Sequence, residues 1–540
     1  MTSTLLYRLS TVLLGGMVMG QGIPVTDPLV TAKCGSCHTR DEQGIMQRIS
    51  WLRTTPEAWQ DTVKRMIVVN GVSLTQAEAR SVVKYLSTNH GLAPEEARPV
   101  LYDAERRTRE ETGFPESLSG ACTKCHAFAR ALSWRRSAEE WKLFADSHME
   151  RYRYKVPNDA VVAYLAKAAP LHTPEWDARN ARTRASSLTG RWLVTALLQG
   201  HGEYYGEMQV DPAGDDEFTT RATLMSVRDG STIQRSGRSA VYGGYAWRGR
   251  SKGGDTPGTA PDDPSIEARE VMWIAPDQLT AEGRWFWGQY QEFGFDVKLQ
   301  RTTSDPTLVT VDRSSLKAGS EANRVRVIGI NLPAEPKSSD LDFGPGVNVS
   351  GIVSHSSNEV IVEVDVASGA ALGKHDVTFR GSPLPGGIAI YDRVDYVKVT
   401  PESALATFGD PAHPRGYEQF EATGYQRGAD GKLHTDDDVE LGPVEVTWSL
   451  EVFYAAEGSS SDYVGRMSAT GLFVPASASP NTNVDTWVVA TAKNEKDKDG
   501  KPLVGKAYLV VTVPMYTLNG RRYVRDLNRW IDDGPAAGTQ

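Results

Sequence analysis

The order of apolar and polar positions divides the chain into a helical first third and a β-rich remainder. Between residues 25 and 175 apolar side chains recur at three- and four-residue intervals, as in "TTPEAWQDTVKRM", and this spacing predicts amphipathic helices. Thr55 and Ser137, each followed by acidic residues, are the expected N-caps of two of them. From Leu188 onward, short alternating runs of β-branched and aromatic residues between glycine-rich turns predict antiparallel strands.

These changes of pattern predict a multidomain fold of the α plus all-β class. A barrel is expected for the first β segment because closure removes exposed sheet edges. The later β segments alternate in the manner of immunoglobulin-like sandwiches. The predicted parts are a leader at 1–21, a helical domain at 22–180 with tandem halves at about 22–95 and 110–175, an antiparallel lipocalin-like β-barrel at 186–303, immunoglobulin-like β-sandwiches at 305–400 and 401–516, and a C-terminal tail at 517–540.

The two helical halves form a faint internal repeat. "ISWLRTTPEAW" in the first half corresponds to "LSWRRSAEEW" in the second, and "VVKYL" corresponds to "VVAYL". The repeat therefore pairs Trp51 with Trp134, Trp59 with Trp141 and Tyr85 with Tyr164.

The first residues have the composition of a secretory signal peptide. Arg8 is followed by an apolar run that ends in small residues and is too short to span a bilayer. We therefore expect residues 1–21 to be removed and the mature chain to lie in the periplasm without a membrane span. The 59 basic and 68 acidic side chains give a net charge of -9, which argues against nucleic acid as a partner.

All four cysteines of the chain lie in two copies of the pattern Cys-x-x-Cys-His. This spacing lets two thiols form thioethers with one porphyrin while the next residue binds the iron, and it is the signature of c-type haem attachment. A redox pair does not need the histidine, and a four-cysteine zinc site would draw its pairs from a more compact module. We therefore expect two covalently bound haem c groups, with thioethers at Cys34, Cys37, Cys122 and Cys125 and with His38 and His126 as proximal iron ligands. The helical domain at 22–180 is thus predicted to be a tandem dihaem cytochrome c domain.

The internal repeat also predicts the sixth ligand of each iron. Counting seven residues onward from Trp59 and from Trp141 gives the expected ligand pairs His38/Met66 at the first haem and His126/His148 at the second. Because thioether sulfur favours ferrous iron, electrons are expected to move from the second haem to the first. The rival distal ligands are Met46 and His90 for the first iron and Met149 and His172 for the second.

The order of parts resembles the alpha subunit of quinohaemoprotein amine dehydrogenase, over essentially the whole mature chain. The motifs that carry this resemblance are "CGSCH" at Cys34 and "CTKCH" at Cys122, followed by the barrel and the two sandwiches. The resemblance implies a heterotrimer with a propeller-type beta subunit and a small gamma subunit that carries cysteine tryptophylquinone. It also implies that primary amines are oxidised at that quinone, and that this chain passes the electrons to a soluble blue-copper protein or cytochrome c.

Every cysteine of the chain is already assigned to a haem motif, so the quinone and the amine chemistry belong to another subunit. Two other functions stay open at this point. One is a modular dihaem cytochrome whose β-domains bind an extracellular ligand such as a polysaccharide, through exposed aromatic residues of "YYGEM" or "RWFWGQYQEFGF". The other is a dihaem peroxidase, which needs a displaceable sixth ligand and mostly helical flanks.

Overall fold

The computed structural model describes most of the chain after the predicted leader. The described residues are 22–107, 111, 114–115, 118, 123, 126–152, 158–181, 187–254, 258, 260–410, 413–453, 461–477, 482–513, 521–524 and 529–532. The predicted signal peptide at 1–21 and the predicted thioether residues Cys122 and Cys125 lie outside them. The chain divides into two compact units, Met1–Ser187 with Val241–Trp247 and Trp273–Pro276, and Leu188–Ala240 with Arg248–Met272 and Asp277–Gln540.

The helices of the described residues all lie in the first unit. They are α1 Pro28–Cys34, α2 Pro56–Val68, α3 Gln76–Asn89, α4 Pro94–Ala97, α5 Leu101–Ala104, α6 Ala129–Leu132, α7 Ala138–Tyr152, α8 Asn158–Ala168 and α9 Pro174–Ala181. The predicted N-caps are confirmed, because Thr55 accepts a hydrogen bond from the Ala58 amide at the start of α2 and Ser137 accepts one from the Glu140 amide in α7. No helix of the described residues is both long and apolar enough to cross a membrane.

A short antiparallel ribbon relates the two helical halves by an approximate two-fold axis. Strand β1 (Leu52–Thr54) pairs with β2 (Trp134–Arg136), and Arg53 lies opposite Arg135 at the centre. The indole Nε1 of Trp59 donates to the His90 carbonyl at 2.9 Å, and that of Trp141 donates to the Ala169 carbonyl, also at 2.9 Å. The structure thus contains the internal repeat that the sequence predicts.

The register of this ribbon corrects one pairing of the repeat. Arg53 and Arg135 occupy equivalent positions, so the counterpart of Trp134 is Leu52 and not Trp51. The first half has one more residue between its two tryptophans than the second half has. Helix N-caps and cross-strand hydrogen bonds fix the backbone register, so the extra residue shifts Trp51 out of alignment.

Eight strands form a closed barrel of neighbouring antiparallel strands, as predicted for this segment. They are β3 Gly190–Leu198, β4 Gly202–Gly214, β5 Glu217–Ser226, β6 Thr232–Tyr242, β7 Ala246–Gly253, β8 Ala268–Ile274, β9 Thr280–Trp287 and β10 Phe293–Arg301. Within the stretch "AVYGGYAWRG" a turn separates β6 from β7. Gly243 and Gly244 both have positive φ there, which glycine adopts without strain.

The third domain, which follows the barrel and is called domain III below, consists of two four-stranded sheets around one core. The strands are β11 Thr307–Val311, β12 Ser315–Lys317, β13 Asn323–Ile330, β14 Leu341–Asp342, β15 Val347–His355, β16 Glu359–Val366, β17 Gly373–Phe379 and β18 Ser382–Tyr391. The sheet orders are β11-β13-β16-β15 and β12-β18-β17-β14. Both sheets contribute side chains such as Val362 and Phe379 to the same buried cluster, which makes the domain a β-sandwich.

The fourth domain has three sheets around a second core. Its strands are β19 Tyr396–Thr400, β20 Ser403–Thr407, β21 Glu418–Gln419, β22 Glu421–Gln426, β23 Val439–Pro443, β24 Val446–Val452, β25 Gly465–Met467, β26 Leu472–Pro475, β27 Val484–Lys496 and β28 Pro502–Thr512. The sheet orders are β19-β22-β23, β20-β28-β27-β24 and β21-β26-β25. In the predicted tail, β29 (Arg521–Val524) pairs with β30 (Arg529–Asp532).

Candidate haem sites

The first Cys-x-x-Cys-His motif begins at the last residue of α1. Asp27 caps that helix, and its side chain accepts a hydrogen bond from the Val30 amide. Beyond Cys34 the chain keeps a helical turn, since the His38 amide donates to the Cys34 carbonyl at 2.9 Å. The two cysteines and the histidine are therefore held on one compact turn, as attachment to a single porphyrin requires.

The two thiols of this motif are free and do not form a disulfide. Cys34 is half-buried and Cys37 is exposed. Burial raises the pKa of the Cys34 thiol, and the nearby Cys37 adds to the shift. Cys34 therefore lacks the lowered pKa that is typical of the nucleophilic thiol in a redox-active Cys-x-x-Cys.

The imidazole of His38 is oriented by a backbone carbonyl. Its Nδ1 lies 3.0 Å from the carbonyl oxygen of Gln47, and the ring is half-buried. A donor at Nδ1 fixes the tautomer that leaves Nε2 with a free lone pair, which is the usual arrangement of a metal-binding histidine. The structure thus gives His38 the geometry of a proximal ligand.

Met66, the predicted distal ligand of the first iron, lies in the last turn of α2. Its side chain is half-buried, and the amide of Asn70 approaches its sulfur at 3.6 Å. At the end of the same helix Val68 and Val69 are each 73% exposed. Apolar surface beside an accessible thioether sulfur suits contact with a porphyrin ring.

The two rivals of Met66 lie inside the core of the first half. Met46 is fully buried among apolar side chains. His90 is also fully buried, between Trp59 at 6.3 Å and Tyr85 at 6.2 Å between ring centroids. Burial lowers the pKa of His90 to about 4, although the Leu52 backbone opposes the shift, so its imidazole is neutral at physiological pH. Neither ring nitrogen has a hydrogen-bond partner among the described residues, so His90 stays an alternative ligand.

Of the second motif, the structure describes the histidine. The Nδ1 of His126 lies 2.8 Å from the carbonyl oxygen of Ala127, so a backbone carbonyl orients this ring as it does in His38. The next turn is fixed by Glu111, whose carboxylate accepts hydrogen bonds from the amides of Phe128 and Ala129.

The candidate distal ligands of the second iron lie on two helices. His148 in α7 is half-buried, and its ring lies 5.2 Å from that of Phe144 on the same face of the helix. His172 precedes α9 and packs edge-on against Trp176 at 5.4 Å. The side chain of Met149 lies outside the described part. His148 thus shares an aromatic face with the second half's core, in the position that the repeat predicts.

Four domains of one protein family match consecutive parts of the chain. They are the haem-binding domain of the quinohemoprotein amine dehydrogenase alpha subunit at residues 25–176, its domain II at 185–302, its domain III at 305–392 and its domain IV at 397–520. The chain belongs to the family of quinohaemoprotein amine dehydrogenase alpha subunits. It is thus related to a haem-binding subunit of an oxidoreductase complex. A search of curated proteins found no match.

Solved structures resemble single parts of this alpha subunit. A redesigned β-barrel is 16% identical, with 22% of this chain and 96% of that chain covered and a TM-score of 0.18. A de novo designed fluorescence-activating β-barrel is 17% identical, covers 22% of this chain and 100% of its own, and has a TM-score of 0.18. The Ig1-2 module of a Drosophila receptor protein tyrosine phosphatase is 8% identical, covers 39% and 99%, and has a TM-score of 0.12. These scores are too low to support any argument.

The alpha subunit also contains a buried ionic cluster that sequence reasoning missed. Arg53 is fully buried and makes two hydrogen bonds to the Glu96 carboxylate, at 2.7 and 2.9 Å, while Arg135 approaches it at 3.2 Å. Burial alone would raise the pKa of Glu96, but the hydrogen bond and charge of Arg53 and the charge of Arg135 lower it to about 2. The sequence signal that could have revealed this cluster is the arginine that both copies of the repeat contain just before the long helix.

Five aromatic residues of "YYGEM" and "RWFWGQYQEFGF", the stretches that a ligand-binding role would use, are buried. Trp285, Phe286 and Phe295 are buried almost completely, and Tyr204 and Tyr205 are buried as well. Tyr204, Trp285 and Phe295 contact one another on one face of the sheet, for example Tyr204 against Phe295 at 5.3 Å. Tyr205 and Phe286 follow directly in the same strands and are buried on the opposite face, where Tyr205 packs against Ile328. These five rings therefore do not form an exposed stacking surface.

Proposed function

We propose that this alpha subunit is the electron-transferring dihaem subunit of a periplasmic quinohaemoprotein amine dehydrogenase. Two Cys-x-x-Cys-His motifs inside the segment that matches the family's haem-binding domain are the observation that carries the proposal. They would hold two covalent haem c groups through Cys34, Cys37, Cys122 and Cys125. When bound, haem c supplies a reversible one-electron couple.

The chain's own residues would hold and orient these groups. His38 and His126 would ligate the irons through Nε2, because their Nδ1 atoms lie against the backbone carbonyls of Gln47 and Ala127. Met66 and His148 would supply the sixth ligands. The half-buried positions of both side chains agree with a partly enclosed iron.

The amine chemistry would take place on a partner. With all four cysteines in haem motifs, no cysteine is left to form cysteine tryptophylquinone in this chain. We infer that a small gamma subunit carries the quinone and that a propeller-type beta subunit completes the complex. The alpha subunit would accept electrons released by oxidative deamination of a primary amine and pass them to a soluble blue-copper protein or cytochrome c.

The proposal also includes the folds of the individual domains and the cellular compartment of the protein. We infer that the helical halves are two tandem cytochrome folds and that domains III and IV are immunoglobulin-like sandwiches. We also infer export to the periplasm by the leader at residues 1–21, which supplies the compartment where haem c is attached. The β-domains would provide the large surface that a permanent heterotrimer needs.

The two other candidate functions have less support. A ligand-binding role for the barrel would need exposed aromatic side chains, but Trp285, Phe295 and Tyr204 are buried. A dihaem peroxidase would have mostly helical flanks, whereas the residues described beyond Leu188 form strands.

The test is expression of the tagged chain with its neighbouring genes in a host that matures cytochromes c. We expect two haems per chain by the pyridine haemochrome assay, and co-purification of two further subunits, the smaller of which gives a quinone stain. Added primary amine should then reduce both haems. A colourless chain, or a monomer that only an added reductant can reduce, would exclude the proposal.

A further inference from the structure

Arg136 is a buried cation among aromatic side chains. It is 6% exposed at the end of β2, and its Nε has no hydrogen-bond partner among the described residues. Its guanidinium lies over three aromatic rings, at 4.4 Å from Trp134, 4.9 Å from Phe144 and 5.2 Å from Trp141. Cation–π contacts stabilise the charge but satisfy none of the five N–H donors. A buried charge whose donors are not hydrogen-bonded is costly, and binding an anion would offset that cost.

The carboxylate whose charge acts on Arg136 is that of Glu140. Glu140 lies one helical turn beyond Ser137 in α7 and is 5% exposed, and its Oε2 lies 3.2 Å from Nε of Arg48. Burial raises the pKa of Glu140, and the charges of Arg48 and Arg136 only partly oppose this. Arg48 reaches Glu140 from a backbone with φ of 70°, a left-handed conformation that is costly for a non-glycine residue. Glu140 therefore cannot neutralise this region by itself.

A third guanidinium adds to the positive charge. Burial is the main cause that lowers the pKa of Arg136, to about 9, and the charges of Arg48 and Arg65 lower it further while Glu140 opposes them. Arg65 lies on the exposed side of α2. We call Arg48, Arg65 and Arg136 the arginine cluster, because the charges of Arg48 and Arg65 act on Arg136, and Arg48 also contacts the Glu140 carboxylate. Such a site attracts a ligand with more than one negative charge.

The neighbours of the cluster indicate which ligand this is. Arg48 follows Gln47, whose carbonyl orients the His38 ring, and Arg65 precedes Met66. Two members of the arginine cluster are thus chain neighbours of Gln47 and Met66, while Phe144 beneath Arg136 contacts the ring of His148. We propose that the arginine cluster binds the two propionate carboxylates of the first haem.

The chemistry of the two partners agrees. Haem has two propionates, and each carboxylate can accept parallel hydrogen bonds from the planar fork of an arginine. Binding would satisfy the buried donors of Arg136 and offset the excess positive charge around Glu140. Cations beside the propionates also favour the ferrous state, because reduction removes one positive charge from the iron. The inference rests on the proposed function, since it needs haem at this motif.

The test compares reduction potentials of haem-loaded variants. Arg136→Gln and Arg65→Gln each remove one charge of the cluster, and Arg65 is exposed, so its loss leaves the core intact. Arg80→Gln removes the same charge from an exposed position on α3 and is the matched control. Spectroelectrochemical titration should show that the reduction potential of one haem falls by about 59 mV in Arg136→Gln, which is about a tenfold change in the equilibrium constant for reduction. The potential should fall by less in Arg65→Gln. The control should titrate as wild type.

The outcomes separate this inference from the proposed function. A chain that attaches no haem at Cys34 excludes both. Two attached haems whose potentials are the same in Arg136→Gln, Arg65→Gln and wild type overturn the inference alone. So does loss of partner-subunit binding in these variants at unchanged potentials, because the arginine cluster would then bind a carboxylate of the partner. If Arg136→Gln yields no haem-loaded protein, Arg65→Gln and Arg48→Gln decide the question by the same measurement.

Discussion

Arg53 and Arg135 face each other as Cα partners in the β1–β2 ribbon, and both of their guanidinium groups bind the carboxylate of Glu96. The two arginines come from equivalent positions in the two helical halves. The carboxylate comes from α4, which begins soon after the last helix of the first half. One buried acid thus joins the two halves at their approximate two-fold axis.

Glu96→Gln should destabilise this junction strongly. The change keeps the shape of the side chain but leaves Arg53 and Arg135 without a buried counter-charge, which costs about 3–5 kcal/mol. Urea unfolding of the haem-loaded protein, followed by Soret absorbance, measures the loss. Asp146→Asn is the control, because Asp146 pairs with Lys142 on the exposed face of α7 and its loss should change little. Equal stability of Glu96→Gln and wild type would contradict the role of the cluster.

The contribution of Glu96 should depend on pH in a defined direction. Its pKa is about 2 in the folded chain, against an ordinary value of 4.5, so the unfolded chain takes up the proton first as the pH falls. The stabilisation is therefore complete above about pH 4.5 and is lost as the pH falls towards 2. The difference in unfolding free energy between wild type and Glu96→Gln should shrink over this range. A difference that is constant from pH 7 to 3 would rule this out.

Removing the cysteines of one motif should remove one haem. Changing both Cys34 and Cys37 to serine should leave the haem of the second motif in place, and changing both Cys122 and Cys125 should leave that of the first. Measurements of intact mass and the pyridine haemochrome assay should each show that the haem content falls from two to one per chain. Full haem content in either double variant would show that the motif is not an attachment site.

Met66→His tests the distal ligand of the first haem. Replacing thioether sulfur by imidazole favours ferric iron, so one haem should become harder to reduce, by about tenfold or more, which is about 59 mV or more. Met46→Leu is the control, since Met46 is a fully buried core residue. The low-temperature spectra of Met66→His could instead match those of wild type while the spectra of Met46→Leu or His90→Gln change. That outcome would assign the distal ligand to Met46 or His90.

Gly206→Ala should destabilise the barrel. Gly206 lies on β4 opposite Leu224 of β5, and a Cβ there would come within 1.8 Å of the Thr223 carbonyl oxygen. Overpacking of this kind costs about 1–3 kcal/mol. Gly214→Ala, near the end of the same strand, is the control because its nearest neighbour would be 3.7 Å away. Thermal unfolding by circular dichroism should show a lower midpoint for the first variant alone.

Local pattern predicted much of the fold. Alternation along the chain predicted strands from Leu188 onward, of which Gly190–Leu198 is the first, and the N-cap signals of Thr55 and Ser137 matched the starts of α2 and α7. The sequence pattern gave a wrong alignment of the two helical halves at the point where one extra residue shifts the register. The alignment of Trp51 with Trp134 is wrong because cross-strand bonds at Arg53 and Arg135 fix a register that identity of side chains does not reveal.

The chemistry of haem attachment was determined by the sequence itself, because the reacting groups of each motif lie within five consecutive residues and need only one helical turn to meet. The order of the barrel strands was similarly predictable, since each strand pairs with its neighbour in the chain. Only the tertiary structure decided which charges are buried. Arg53 and Glu96 are 43 residues apart, and Arg48 of the first helical half contacts Glu140 of the second. Burial depends on such distant contacts, so the electrostatics at the junction follow from the fold and not from any local pattern.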